Sequence, residues 1–443
     1  MSIPEPLMNS NKPTRLALAA ALALGAAAVH AQSAAPTQEQ LLQRVEALAQ
    51  ELARVKAQLQ QMQDERAKAA AAPAPAPAPV PAAAPAAAAA APAQPATTLT
   101  AYGEINYNRP KDGSQAQADV RRFVLGFQHR FDEKTKVVAE LETEHAVVSK
   151  DDDGEVEVEQ LYIEHRLTDR LGARAGLLLM PIGLLNNNHE PTAYYGVERN
   201  FVETAIIPST WREAGLQVFG EHDNGISWSA GLSTGFDLTK WDANSSEGLE
   251  SPLRSIHQEG QLAKAHDLSV FGNIDWRGVP GLRVGAGGFT GKAGHAQAGF
   301  AAPNARVTLW DLHAQWAPGP WDLAALYARG TISGAGDLNA TFAGSPFPVP
   351  KSFDGWYAQA AYKWRFKGDY VLAPFARYER VNTGRSFDGL PVGLNPGNVG
   401  TETIKTVGLN FQLNPNVVLK ADIQRFKLNT DSNRFDLGLG FSF

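Results

Sequence analysis

The last stretch of the chain, Asn433 to Phe443, reads NRFDLGLGFSF, and its alternation decides the fold. Phe435, Leu437, Leu439, Phe441 and Phe443 share one face of a period-two strand, while Asp436, Gly438, Gly440 and Ser442 share the other. One face is apolar, the other small or polar. An edge strand on a soluble core is one reading of this segment alone. The closing strand of a transmembrane barrel is the reading the rest of the chain favours, because its outward face meets lipid and its inward face meets water.

Composition narrows the choice. The chain has 443 residues, 40 glycines, 9% aromatics, a formal net charge of −6 and no cysteine. Disulfides, thiolate metal sites and cysteine nucleophiles are thereby excluded. Beyond the N-terminal segment no run of about 18 apolar residues is present, so a membrane crossing would be made by strands. The acidic balance argues against a nucleic-acid partner.

Three segments are expected before the barrel. Residues 1–31 read as a secretory signal: Lys12 and Arg15 precede an apolar run from Leu16 to Val29, with cutting expected after Ala31 and Met8 as an alternative start. In residues 32–66, Leu41, Val45, Leu48, Leu52, Val55, Leu59 and Met62 recur at spacings of four and three, a heptad seam about 33 Å long. It predicts a short periplasmic coiled coil, dimeric or trimeric. Residues 67–98 are almost wholly Ala and Pro, which predicts an extended spacer reaching on the order of 90 Å.

From Leu99 onward the period is two. Strands are expected at Leu99–Asn108, Val120–Phe131, Thr135–Val148, Glu157–Leu167, Leu171–Met180, Glu213–Glu221, Gly225–Phe236 and Asp267–Trp276. Eight more follow at Gly281–Gly291, Arg306–Ala317, Trp321–Thr331, Gly355–Phe366, Tyr370–Val381, Thr403–Leu413, Val417–Leu428 and Arg434–Phe443. The fold class is therefore all-β, an antiparallel transmembrane barrel of about 16 strands over residues 99–443. Tight links such as Thr168-Asp169-Arg170 and Asn414-Pro415-Asn416 alternate with long ones such as Asp237 to His266 and Ile332 to Asp354. A soluble propeller or sandwich does not require that alternation.

Phe123, Leu125 and Phe127, then Trp356, Ala358, Ala360, Tyr362 and Trp364, then Val407, Leu409, Phe411 and Leu413 are expected to face lipid. Their alternates place Arg122, Arg130, Lys136, Lys363, Arg365, Arg377 and Lys420 on the pore wall as cations. Glu140, Glu142, Glu144, Asp275, Glu379 and Asp422 join them as anions. Tyr102, Tyr107, Trp228, Trp276, Trp310, Trp316 and Trp364 are expected in the interfacial girdles.

One connection departs in composition. Residues 181–212 read PIGLLNNNHEPTAYYGVERNFVETAIIPSTWR, with too many apolar and aromatic side chains for a free loop. The expectation is a loop folded into the barrel, with a grip on a neighbouring subunit as the alternative. His189, Glu190, Tyr194, Tyr195, Glu198, Arg199, Glu203 and Arg212, with Glu213 at its exit, would then form the pore constriction.

GLLLMPIG followed by NNNHEPTAYYGVERNFVETAIIPSTWREAG resembles the family of phosphate-selective porins O and P and their proteobacterial relatives. Pro181-Ile182-Gly183 and the run Pro208 to Gly215 stand where that family's third loop folds inward and returns. The resemblance implies a homotrimer of sixteen-stranded barrels in the outer membrane of a Gram-negative bacterium, its N-terminal segment in the periplasm. Phosphate-specific members carry an arginine ladder and clustered lysines. Here Arg199 and Arg212 stand at the loop's basic positions with glutamates beside both, which leaves the solute open.

The expected function is passive diffusion of small hydrophilic solutes or ions, with anions such as phosphate among them. A structural alternative is a tether, the coiled coil and spacer joining outer-membrane lipid to peptidoglycan. A hydrolase would need a nucleophile and base together on the wall, and no Ser, His and acid stand at suitable strand spacing. No cofactor and no metal site is expected; the acidic run Asp151-Asp152-Asp153-Gly154-Glu155 reads as a solvated loop, with a divalent-cation site as the alternative.

Overall fold

The computed structural model describes residues 50, 96–391 and 399–443. The signal, coiled-coil and most of the spacer expectations lie outside these residues.

The described chain forms one closed antiparallel sheet. Its strands are β1 (Thr97–Pro110), β2 (Gln117–Arg130), β3 (Thr135–Glu144), β4 (Val156–Thr168), β5 (Leu171–Leu179), β6 (Arg212–Glu221), β7 (Ile226–Ser233) and β8 (Ser269–Trp276). They continue as β9 (Leu282–Lys292), β10 (Arg306–Trp316), β11 (Trp321–Ser333) and β12 (Ser352–Tyr362, resuming at Trp364–Arg365). The last four are β13 (Val371–Ser386), β14 (Glu402–Asn414), β15 (Val417–Phe426) and β16 (Arg434–Ser442).

The sheet holds seventeen hydrogen-bonded segments, but the two pieces of β12 are one crossing. Ala361 pairs with Phe375 and Trp364 with Leu372, which is the same register on either side of Lys363. The chain therefore crosses sixteen times. β1 pairs with both β2 and β16, so no edge remains open. It begins at Thr97, two residues inside the stretch assigned to the spacer.

The closing strand behaves as its alternation requires. Phe435, Leu437 and Leu439 are exposed on the outside, whereas Asp436 is fully buried inside. Phe123, Leu125 and Phe127 on β2, Trp356 and Trp364 on β12, and Val407 and Leu409 on β14 are likewise exposed. A ring of outward apolar side chains with inward polar ones is what a lipid-facing barrel requires. Links at residues 169–170, 222–225 and 415–416 are short; those at 180–211, 234–268 and 334–351 leave from the opposite end.

Alternation gives way in the inner wall of β8 to β12. There Phe271, Phe289, Leu309, Leu326 and Phe353 are buried inward, while Val270, Leu312 and Trp356 are exposed outward. These inward groups join Trp211 of the 180–211 connection and Phe236, Leu238, Trp241, Leu253 and Ile256 of the 234–268 connection in one apolar core. Trp211 lies 5.0 Å from Phe236 and 4.7 Å from Phe289, ring centre to ring centre.

Candidate functional site

The connection between β5 and β6 enters the barrel. At its base, Asn186 clamps the two ends: its Nδ2 donates to the carbonyls of Met180 and Trp211, both at 2.8 Å, and its Oδ1 accepts from Trp211 N at 2.7 Å. Gly183 takes φ +79° at the inward turn, where a Cβ would stand 2.6 Å from Glu203 Oε1. That combination admits glycine and little else.

From this base the loop reaches most of the wall. Gly183 N donates to Asp311 on β10, Tyr195 Oη to Asp322 on β11, and Tyr357 Oη of β12 donates to Glu203. Phe201 N donates to Glu379 on β13, Asn410 of β14 to the Tyr195 carbonyl, and Val197 N to Asp422 on β15. Thr192 and Ser442 of β16 exchange a hydroxyl bond, and Tyr194 Oη donates to Glu104 on β1. The wall supplies the polar partners that the loop backbone needs when it leaves water.

The expected constriction residues separate into distinct roles. Glu203 is buried within the loop, accepting from Leu185 N at 2.7 Å and Asn200 Nδ2 at 2.8 Å and also from Leu184 N. Burial pushes its carboxyl up, against those donors. It organises the loop instead of displaying charge to solute. Glu213 is likewise fully buried, bonded to Trp211 Nε1 and Thr234 Oγ1. Tyr194 lies under Lys420, whose Nζ stands 3.6 Å from the ring centre. Tyr195 stacks on Phe375. Glu190 is half-buried, and Glu198 accepts from Asn108 at 3.2 Å.

Arg212 is the first residue of β6 and pairs with Glu157 and, at 3.2 Å, with Glu259. Burial raises the Glu259 carboxyl, but its bond to His257 and the charges of His257, Arg212 and Lys240 prevail and hold it below the usual range. Arg199 bonds Ser209, Thr210 and the His189 carbonyl, with no carboxylate.

The expected wall residues line the interior. Arg122 joins Glu104 at 2.9 Å, Glu142 at 3.0 Å and Glu144 at 3.4 Å. Lys136 pairs with Glu164, Lys363 with Asp322 and Arg377 with Glu379. Glu140 accepts from Gln160. Arg130 and Arg365 are exposed near the tight-turn end. Tyr102 departs from the girdle expectation: it points inward, buried, and donates to Glu159 Oε2 at 2.7 Å.

Three groups escaped the sequence reading, two because the ladder slips and one because it lies on a loop. Between β1 and β2, Glu104 pairs with Arg122 but Ile105 with Val120, leaving Arg121 as an extra residue. This bulge turns Arg121 to the same side as Arg122, against simple alternation. A second bulge between β3 and β4 leaves Glu159 extra. Arg254, on the 234–268 connection, carries no period that would place it here.

Two adjoining cavities of about 230 and 160 Å³ lie between the loop and the wall of β1 to β4, both lined by Arg121, Arg122, Ser209 and Arg254. Arg199 and Arg434 line the first, Arg212 and His257 the second. A third, of about 280 Å³, is lined by Glu164, Arg166, Arg170, Arg174 and Asn187 toward the tight turns. Among the described residues, Arg121, Arg199 and Arg254 have no carboxylate within 4.0 Å.

An uncharacterized protein of Aquifex aeolicus (strain VF5) is 30% identical over 358 residues, covering 78% of this chain and 80% of that protein. The chain belongs to the same family as that protein. OmpF of Salmonella typhi, solved in complex with daunomycin, superposes with a TM-score of 0.53 at 12% identity, over 78% of this chain and 97% of the other. That likeness is one of fold. No protein-family model matches the chain.

Proposed function

We propose that this chain is an outer-membrane porin through which small hydrophilic solutes diffuse passively, with a preference for anions of phosphate's class. The carrying observation is the pair of arginine-lined cavities between the inward loop and the wall. The lining is mixed in sign: Glu104, Glu142 and Glu144 share Arg122, Glu157 and Glu259 share Arg212, and Glu155 and Glu198 also line the cavities. Arg121, Arg199 and Arg254 stand outside those pairs and offer the cavities guanidinium donors, the groups that bind an oxyanion such as phosphate by two parallel hydrogen bonds. The resemblance to phosphate-selective porins supports the same reading and extends it to a homotrimer.

The test is the reversal potential of the purified protein in a planar bilayer across a chloride gradient, with and without phosphate. The expected result is an anion-selective current reduced by added phosphate, and a preference weakened severalfold by Arg121→Gln with Arg254→Gln. A cation-selective current, or one indifferent to both substitutions, overturns the reading. Cross-linking in detergent checks the trimer.

A further inference from the structure

Where the inward loop meets β3 and β4, three side chains converge that solute passage does not require. His189 Nε2 lies 2.9 Å from Glu159 Oε1, and donor atoms of Glu140, Glu159 and His189 all fall within 4.8 Å of one another. Glu159 is fully buried and His189 nearly so.

The hydrogen bonds fix which atoms carry protons. His189 Nδ1 is 2.9 Å from the Asn186 carbonyl, an acceptor only, so Nδ1 holds the hydrogen. Tyr102 Oη, 2.8 Å from Nε2, directs its own proton to Glu159 Oε2. Were the ring neutral, Nε2 would present a bare lone pair to Glu159 Oε1, 2.9 Å away. Two facing lone pairs in a dry site repel unless a positive centre stands between them. A proton would balance one carboxylate. Glu140 brings a second, while the neighbouring Glu142 is held by Arg122. A divalent cation balances both.

The surrounding bonds are those that orient metal ligands. The imidazole gives its other N–H to a backbone carbonyl, Tyr102 holds one carboxylate, and Gln160 Nε2 holds Glu140. The bulge at Glu159 is what turns that carboxylate and Gln160 into the lumen together. One imidazole nitrogen and two carboxylate oxygens suit zinc and its first-row neighbours, with bonds of about 2.0–2.2 Å.

We propose that His189, Glu159 and Glu140 bind one divalent transition-metal ion that fastens the inward loop to the barrel wall. On β3, Glu142 and Glu144 line the 160 Å³ cavity and Lys136 reaches Glu164 of the 280 Å³ one. Glu140 lies between them on the same strand, which places the proposed ion on the wall between the two cavities.

The test uses the full chain without an affinity tag, stripped with chelator and titrated with zinc chloride. Bound zinc is counted after gel filtration, and the unfolding midpoint is followed in parallel. The expected result is one zinc per chain and a zinc-dependent rise in the midpoint, with affinity lowered about tenfold or more by Glu159→Gln and by Glu140→Gln. His222→Ala, at an exposed tight turn, leaves both readouts unchanged. Should Glu159→Gln fail to fold by heat-dependent gel mobility, the half-buried Glu140→Gln decides. Less than about a tenth of a zinc per wild-type chain overturns the proposal. So does binding that survives Glu140→Gln undiminished, or a His189 ring protonated at both nitrogens in the presence of zinc.

Discussion

The inner wall has two halves that treat the inward loop differently. Along β8 to β12 the wall offers Phe271, Phe289, Leu309 and Phe353, and the loop answers with Ile206, Ile207 and Trp211 in a dry contact. Along β1 to β4 and β13 to β16 it offers Glu104, Arg122, Glu379, Lys420 and Asp422, and the loop answers with tyrosine hydroxyls and backbone amides. The first half gains stability from apolar area removed from water; the second gains specificity from bonds that are costly to leave unmade. The two cavities lined by Arg121 and Arg254 lie against the polar half. A loop held firmly on one side leaves a shaped passage on the other.

Breaking the dry side should have the largest effect. Trp211→Ala empties a fully buried site stacked on Phe236 and Phe289, and should cost about 3–5 kcal/mol in urea unfolding followed by gel mobility. On the outer surface, Leu437→Arg places a charge on the lipid face of mid-strand β16 and should cost about 2–4 kcal/mol in the same measurement. Glu203→Gln swaps one accepting oxygen for a donor against Leu184 N and Leu185 N or against Asn200 and Tyr357, with an expected loss of about 1–3 kcal/mol and a noisier single-channel current.

Smallest is Glu259→Gln, which removes one of two partners of Arg212 and should cost about 1 kcal/mol or less. Because the folded Glu259 carboxyl is held below its ordinary value, its contribution is present above about pH 4.3 and is lost as pH falls through the lowered folded value. Acid titration of wild type against Glu259→Gln should show the difference between them vanish at low pH.

The barrel was legible in the sequence because lipid outside and water inside impose period two on almost every strand. All sixteen crossings fall where alternation puts them, and Phe435, Leu437 and Leu439 face as their spacing requires. The inward loop was legible through composition: Tyr194, Phe201 and Trp211 need burial that a free loop cannot provide. The assignment of individual charges was less so. Glu203 reads as a pore charge until four donors are seen to converge on it, and Tyr102 reads as a girdle residue until its hydroxyl is seen on Glu159. Arg121 and Glu159 were hidden for one reason: each is the extra residue of a bulge, and a one-residue slip reverses the face that counting assigns. Where β8 to β12 meet the loop, inward Phe271, Phe289, Leu309 and Phe353 are as apolar as the lipid face, so there periodicity alone does not tell the lipid side from the loop side.

The central claim is that the inward loop, fastened on the apolar half, sets the size of the passage along the polar half. Single-channel conductance of the wild type against a variant with residues 188–208 replaced by a short Gly-Ser link tests it most directly, since water can solvate the polar wall the loop vacates. The account predicts a severalfold rise in conductance with the barrel still folded by gel mobility. An unchanged conductance in a folded variant would contradict it.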